Sequence, residues 1–127
     1  LQQGGLIVQE YASEIESDGE WSFMFFGSQY SHAVLKRPSP GDFRVQPHLG
    51  GTLIPADPGP SLIRQAAAIA AAVEADLLYA RVDAIERAGQ LLLMELELIE
   101  PDLFFTEHPQ ATARFADAFE ELMAMKE

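Results

Sequence analysis

The sequence contains no cysteine, few basic residues and no long apolar run. Without cysteine the chain has neither disulfides nor thiolate metal sites, which is consistent with a cytoplasmic protein. No apolar run reaches membrane-spanning length and no signal-peptide pattern is visible, so we expect no membrane partner. Lys and Arg number 8 against 20 Asp and Glu, for a net charge of −12. This balance argues against nucleic acid and anionic membranes as partners.

The length of 127 residues and the apolar content of 48% suit one globular domain spanning the whole chain. Hydrophobic patterning predicts strands, then a helix, then a hairpin, then a second helix. This order indicates an α+β fold, in which two helices pack on one face of a mostly antiparallel sheet. The predicted strands are 6–11, 21–26, 30–37 and 43–46, and the hairpin is 78–98 with its turn at 87–90. The predicted helices are 61–74 and 110–126. Polar loops are predicted at 13–19 and 55–60, and Asp57 in the second loop could cap the first helix.

Acidic residues stand out in the apolar hairpin 78–98. Side chains two apart share a sheet face, and folding about Gly89 places Asp83 opposite Glu95 and Arg81 opposite Glu97. Three carboxylates this close repel one another unless a cation lies between them. Magnesium, which prefers oxygen ligands, suits such a set. A solvated sheet face without any ligand is an equally good interpretation of the residues alone.

The scarce basic residues are the second candidate feature. Lys36 and Arg37 precede a loop rich in Pro and Gly, and Arg44 follows it. They are either solubilising charge at a strand end or the cations that phosphate recognition needs beside a metal. Gly50 and Gly51 could let the backbone approach a ligand closely. The histidines His32, His48 and His108 are interpreted as structural or loop residues.

Six segments occur in an order and spacing that point to one family: IVQEY, GEWSF, AVLKRP, GDFRVQPHLGG, YARVD and MELELIEP. Together they resemble the C-terminal half of an ATP-grasp ligase domain, in the branch of glutathione synthetase and the RimK-type amino-acid ligases. The resemblance extends from about Val8 to the last helix. It implies that the chain is one half of a nucleotide clamp, cut just before the hinge between two lobes.

The resemblance assigns nucleotide-binding roles to residues early in the chain. Gln9, Glu10 and Tyr11 would line the adenine at the hinge. Glu20 looks like the acid that holds the ribose hydroxyls. Lys36 would be a further residue of the nucleotide site.

The phosphate and metal roles fall on later residues. Arg44 resembles the arginine that steadies the acyl phosphate, and Arg81 resembles the one that touches the terminal phosphates of ATP. Gly50 and Gly51 would belong to a loop near those phosphates. The metal ligands implied by the resemblance are Asp83, Glu95 and Glu97.

The implied activity is that of an ATP- and Mg²⁺-dependent ligase, with Mn²⁺ as a possible substitute. A small carboxylate would become an acyl phosphate, and an amine or thiol would then displace phosphate. Because the lobe with the phosphate-binding lysines is missing before Leu1, we expect this piece to show weak or no ATP turnover.

Three departures from the family pattern stand out. Glu97 takes the place of the usual Asn in E-x-N, Gln46 replaces the Asn of FRxN, and Glu100-Pro101 replaces Pro-Gly. They suggest a sub-branch with its own substrate, and the cyclo-ligase of cycloserine biosynthesis is one candidate for a similar member. The alternative is a non-catalytic module that self-associates as a homodimer. A Ca²⁺-binding surface is less favoured, because the EF-hand pattern is absent.

Overall fold

The computed structural model describes residues 5–6, 8–39 and 50–125. Within these ranges the chain forms one five-stranded sheet and three helices, which confirms the predicted α+β class. The strands are β1 Glu20–Phe26, β2 Gln29–Arg37, β3 Thr52–Ala56, β4 Tyr79–Arg87 and β5 Gln90–Glu97, and the helices are α1 Glu14–Ser17, α2 Pro60–Ala71 and α3 Ala111–Ala124. The strand order is β3-β2-β1-β4-β5, and every neighbouring pair is antiparallel.

The main core lies between α2 and one face of the sheet. Phe23 and Phe25 of β1 and Val82 of β4 are almost completely buried there. They pack with Leu62 and Ala66 of α2, where the small alanine lets the helix approach the sheet closely. Each buried large side chain contributes about 1.5–3 kcal/mol to folding. Period-two alternation of β1 therefore fixes which of its side chains face away from this helix.

The opposite face carries a second, smaller apolar cluster at one end. Met24 and Val34 pack under Phe104, in the segment after β5. Helix α3 covers the neighbouring end of this same face, where the Phe115 ring meets the Phe26 ring edge-on with centroids 5.3 Å apart. Helices α2 and α3 therefore pack on opposite faces of the sheet and not on one face as predicted, because Phe25 and Phe26 alternate between the two faces. The rest of this face is polar. None of the helices in the described ranges has the length and apolar character needed to cross a membrane.

The turn between β4 and β5 follows the prediction. Ala88 and Gly89 both have positive φ, at 51° and 79°, as a two-residue turn with the twist of a hairpin requires. A bulge between Asp83 and Ala84 then shifts the register by one residue. As a result Asp83 lies opposite Glu95 and Arg81 opposite Glu97, which confirms the predicted cross-strand pairs.

Several local predictions are wrong. The described part of 6–11 forms no strand, and the predicted loop 13–19 contains α1. Strand β3 includes Pro55 from a predicted loop, because an edge strand tolerates a residue without an N–H donor. Asp57 does not cap α2, whose N-cap is Gly59. The predicted strand 43–46 lies outside the described residues.

Candidate functional site

Seven polar side chains share the sheet face that points away from α2. The strand registers place Glu20 opposite Lys36 and Ser22 opposite Asp83. Because side chains of one strand alternate between faces, neighbouring strands can contribute every second residue to a single patch. The patch spans β2, β1, β4 and β5. It is referred to below as the polar cluster and consists of Glu20, Ser22, Lys36, Arg81, Asp83, Glu95 and Glu97.

Asp83 lies at the centre of the polar cluster and is 1% exposed. Arg81 donates to both of its carboxylate oxygens, from Nε to Oδ1 at 3.1 Å and from Nη2 to Oδ2 at 2.9 Å. The Ser22 hydroxyl donates to Oδ1 at 2.5 Å, and the Lys36 ammonium lies 3.1 Å from Oδ2. A buried carboxylate needs such partners, because removing its charge from water is costly. In the described part of the chain, no buried side-chain nitrogen or oxygen is left without a partner.

Lys36 also forms an ion pair with Glu20, and both side chains are almost completely buried. Burial is the main cause that raises the pKa of Glu20, and Lys36 partly offsets it. The sequence predicted a nucleotide contact for each of these residues separately. The structure pairs them with each other and links them, through the ammonium of Lys36, to Asp83, and their nucleotide contacts stay predictions.

Arg81 connects the buried centre of the polar cluster to its more exposed rim. Its Nη2 lies 3.0 Å from Glu97 Oε1, and its Nη1 donates to the Asp102 carbonyl at 3.3 Å. The guanidinium also lies over the Phe104 ring, 5.7 Å from the centroid, within the range of a cation–π contact. The planar group is therefore held on several sides, and its orientation is fixed before any ligand arrives.

Negative charge is in excess at the β5 side of the polar cluster. Four carboxylates stand against two cationic groups, which leaves two unbalanced negative charges when all are ionised. Partial burial raises the pKa of Glu95, and Glu97 and Asp83 raise it further. Hard divalent cations prefer such carboxylate oxygens, so the donor set fits magnesium chemically. The acids are not gathered into a finished site, however: no group of three or more His, Asp or Glu within the described ranges is arranged to hold a metal ion.

None of the three predicted adenine-binding residues lies in a strand, and Gln9 lies beside β5. The Gln9 amide nitrogen contacts the Met94 sulfur at 3.5 Å, next to Glu95 in the chain. Tyr11 donates to the Glu16 carboxylate, and its side chain is exposed. The segment is therefore near the acidic end of the polar cluster, and adenine binding by Gln9, Glu10 and Tyr11 stays a prediction.

The remaining predicted site residues are Arg44, Gly50 and Gly51. Arg44 lies outside the described residues. Gly50 has a φ of 87°, a conformation that favours glycine, and it lies beside the Ser39 side chain. Gly51 directly precedes β3. Phosphate binding by Gly50 and Gly51 stays a prediction.

Sequence reasoning missed Ser22, Asp102 and Phe104. Ser22 lies two residues after Glu20 on a strand, so alternation alone could have placed it on the polar face. No comparable signal existed for Asp102 and Phe104, since they follow the last strand in an irregular segment.

His32 and His108 pack against each other, a pairing that the sequence interpretation of each as a structural residue did not include. Their ring centroids are 4.6 Å apart, and each ring bonds a backbone carbonyl: His32 Nε2 to Leu103 at 2.9 Å and His108 Nε2 to Ala33 at 3.0 Å. Since Leu103 can only accept, His32 Nε2 carries the proton and Nδ1 accepts from the Ser31 hydroxyl at 2.8 Å. Burial is the main cause that lowers the pKa of His32 to about 4.

This lowered pKa predicts a loss of stability in mild acid. The unfolded chain binds a proton at the ordinary histidine pKa of 6.5, whereas the folded chain binds it only near pH 4. Stability is therefore complete above pH 6.5 and falls as the pH drops toward 4, by about 2 kcal/mol between pH 7 and 5. Urea unfolding at several pH values measures the slope. His32→Gln should flatten it, and an unchanged slope in that variant would contradict the assignment.

Comparison with known proteins adds to this geometry. No family model matches the chain. It is 30% identical to the cycloserine biosynthesis protein DcsG of Streptomyces lavendulae, over 91% of the chain and 42% of that protein. The crystal structure of the D-cycloserine synthetase DcsG matches 89% of the chain and 41% of its own length with a TM-score of 0.66. A D-alanine–D-alanine ligase from Bacillus anthracis complexed with ATP matches 80% of the chain and 36% of its own length, with a TM-score of 0.57 and 17% identity.

The chain is similar to part of ATP-grasp ligases. It spans about two fifths of the length of the relatives it matches. The similarity supports the predicted ATP-grasp relationship, whereas the narrower assignment to the glutathione synthetase and RimK-type branch receives no support from it. The match to a cycloserine biosynthesis protein agrees with the sub-branch that the three departures from the family pattern suggested.

Proposed function

We propose that the chain is the nucleotide- and metal-binding half of an ATP- and Mg²⁺-dependent ligase. The enzyme would join a small carboxylate to an amine or thiol. The polar cluster carries the proposal, because it combines a fixed guanidinium with two unbalanced negative charges at its rim. A solvated sheet face would not bury Asp83 and Lys36 among charged partners, since buried charges are costly.

The carboxylates suit a metal ion that accompanies ATP. Glu95 and Glu97 would hold magnesium, or manganese in its place, with Asp83 as the third acid once the Lys36 ammonium leaves its Oδ2. When bound, the ion would neutralise charge on the β- and γ-phosphates. The two glutamates are the more accessible members of the set, whereas Asp83 is enclosed.

Arg81 has the contacts expected of a group that meets developing charge. Asp83 holds the guanidinium through both carboxylate oxygens, so little reorganisation is needed at the moment of reaction. In the proposed reaction a carboxylate oxygen attacks the γ-phosphorus and ADP leaves. The amine or thiol then attacks the acyl carbon, loses its proton and expels phosphate. Arg44 would assist Arg81 at the acyl phosphate.

The remaining assignments concern the nucleoside and the surroundings of the reaction. Gln9, Glu10 and Tyr11 would line the adenine, Glu20 would hold the ribose, and Gly50 and Gly51 would lie near the phosphates. The similarity to a D-cycloserine synthetase favours a substrate related to those of cycloserine biosynthesis. Dependence on ATP and the absence of cysteine both favour a cytoplasmic location.

The test is stabilisation by Mg²⁺–ATP. At a hundred-fold excess of ligand over Kd, binding should add about 2.7 kcal/mol to the free energy of unfolding. Glu95→Gln with Glu97→Gln should abolish most of this gain, because the neutral amides hold a divalent cation poorly. Thermal melting with and without Mg²⁺–ATP measures it. The control replaces two exposed acids, Glu74→Gln with Glu100→Gln, and should behave like the parent.

Two results would contradict the proposal. If Mg²⁺–ATP does not change the melting temperature of the parent protein, the assignment of a nucleotide site is contradicted. If Mg²⁺–ATP stabilises the Glu95/Glu97 double variant as much as the parent, the assignment of the metal ligands is contradicted.

A self-associating, non-catalytic module is the second candidate, and one observation favours it. Within the described ranges β5 pairs with β4 on one side alone, and Leu92 and Leu93 on this edge are 37% and 45% exposed. An apolar edge strand is a template for pairing with another chain. Sedimentation velocity distinguishes the two, because a dimer that is indifferent to Mg²⁺–ATP would favour the module.

A further inference from the structure

The unusual member of the polar cluster is Lys36. Its side chain starts on β2 and passes over β1 to reach Asp83 on β4, and it is 9% exposed. A lysine is rarely buried to this degree unless it is paired. The ammonium touches two carboxylates, those of Glu20 and Asp83. A phosphate arriving from solvent would therefore find this cation enclosed and already engaged.

The Lys36 ammonium contacts the Asp83 oxygen atom that a metal ion would need for coordination. Oδ2 of Asp83 contacts both the Lys36 ammonium and Nη2 of Arg81, while Oδ1 accepts from Ser22 and Arg81. An ion that coordinates Asp83 must displace one of these groups or approach a positive charge closely. Like charges at such distances oppose each other strongly in a site of low dielectric constant.

We propose that Lys36 is an internal competitor of the divalent cation. It holds Asp83 in the orientation that fixes Arg81, and it lowers the affinity of the acids for a free metal ion. Lys36 is thus a positioning residue that acts through Asp83. Metal binding at the polar cluster would be weak until a nucleotide supplies further ligands. The inference rests on the proposed function, since that function brings the metal to these acids.

Removing the competing charge should tighten metal binding. The informative variant is Glu20→Gln with Lys36→Met, which replaces a buried ion pair by neutral groups of similar size and so avoids an uncompensated charge. Its affinity for Mn²⁺ in the absence of nucleotide should rise about ten-fold, the scale of a one-unit change in carboxylate electrostatics. Electron paramagnetic resonance of free Mn²⁺ measures this in the 127-residue protein, and circular dichroism checks that the variant is folded.

Two further variants separate competition from a general structural effect. Lys36→Arg keeps the charge, so its Mn²⁺ affinity should stay within about two-fold of the parent. Adding Asp83→Asn to the double variant should cancel the ten-fold gain, because the competition acts on Asp83. Unchanged or weaker Mn²⁺ binding in the double variant overturns the proposal, and so does a gain that survives Asp83→Asn.

These outcomes are distinguishable from failure of the proposed function. If the parent gains no stability from Mg²⁺–ATP but the double variant binds Mn²⁺ more tightly, the ligase assignment fails and the role of Lys36 stands. If Mg²⁺–ATP stabilises the parent and the Mn²⁺ affinities are equal, the role of Lys36 fails and the ligase assignment stands.

Discussion

Replacing Asp83 by Ala is expected to lower the free energy of unfolding by about 3 kcal/mol, the lower end of the range for breaking a buried ion pair. The substitution removes the carboxylate that Arg81, Lys36 and Ser22 share. The cost stays at the lower end because Lys36 keeps Glu20 as a partner and Arg81 keeps Glu97. Urea denaturation followed by circular dichroism measures the change.

Matched variants show whether the buried charge is responsible. Asp83→Asn keeps the size and one acceptor oxygen, so it should cost less than Asp83→Ala. Asp76→Ala removes an exposed acid outside the polar cluster and should stay within about 0.5 kcal/mol of the parent. Equal stability of Asp83→Ala and Asp76→Ala would show that the central ion pairs contribute nothing to folding.

The geometry of the acidic hairpin could be predicted only in part from sequence. The turn at Ala88 and Gly89, if continued without a bulge, would place Asp83 opposite Met94 and turn Glu95 and Glu97 toward the helix-covered face. The bulge accommodates Met94 as an extra residue and returns both glutamates to the side of Arg81. The pairing of Asp83 with Glu95 was predicted correctly, but the bulge that produces it was not, because a bulge has no dependable signal in a single sequence.

Other misses follow from tertiary context. The segment that includes Val8 is apolar enough for a strand, yet in the described part of the chain it finds no strand partner and Val8 remains 86% exposed. Strand β3 was missed because Pro55 indicates a loop when neighbouring strands are unknown. Only the position of β3 at the sheet edge makes proline acceptable there.

The candidate site shows the same division between residue identity and arrangement. The acids and Arg81 were identified from alternation and from the family resemblance. The partners of Lys36 could not be foreseen, since its ion pair with Asp83 reaches across an intervening strand. The length of a lysine side chain is known from sequence, but the strand order that brings Lys36 within reach of Asp83 is not encoded locally.

Gly19→Ala is expected to cost about 3 kcal/mol, because two penalties add. Gly19 has a φ of +93°, which disfavours any residue with a Cβ by about 1–2 kcal/mol. A Cβ there would also lie 2.6 Å from the Lys36 carbonyl oxygen on β2, and relieving such overpacking typically costs about 1–3 kcal/mol. The backbone of β2 would have to move away from β1 at the point where Glu20 meets Lys36. Chemical denaturation measures the loss.

Gly89→Ala is the matched control for this prediction. Its φ of +79° is similarly unfavourable, but nothing lies within 4 Å of an added Cβ, so it should cost only about 1 kcal/mol. The difference between the two variants isolates the contact with β2. Equal losses would mean that β2 yields at no cost, and the close approach of the two strands beside Glu20 and Lys36 would then not contribute to the rigidity of the polar cluster.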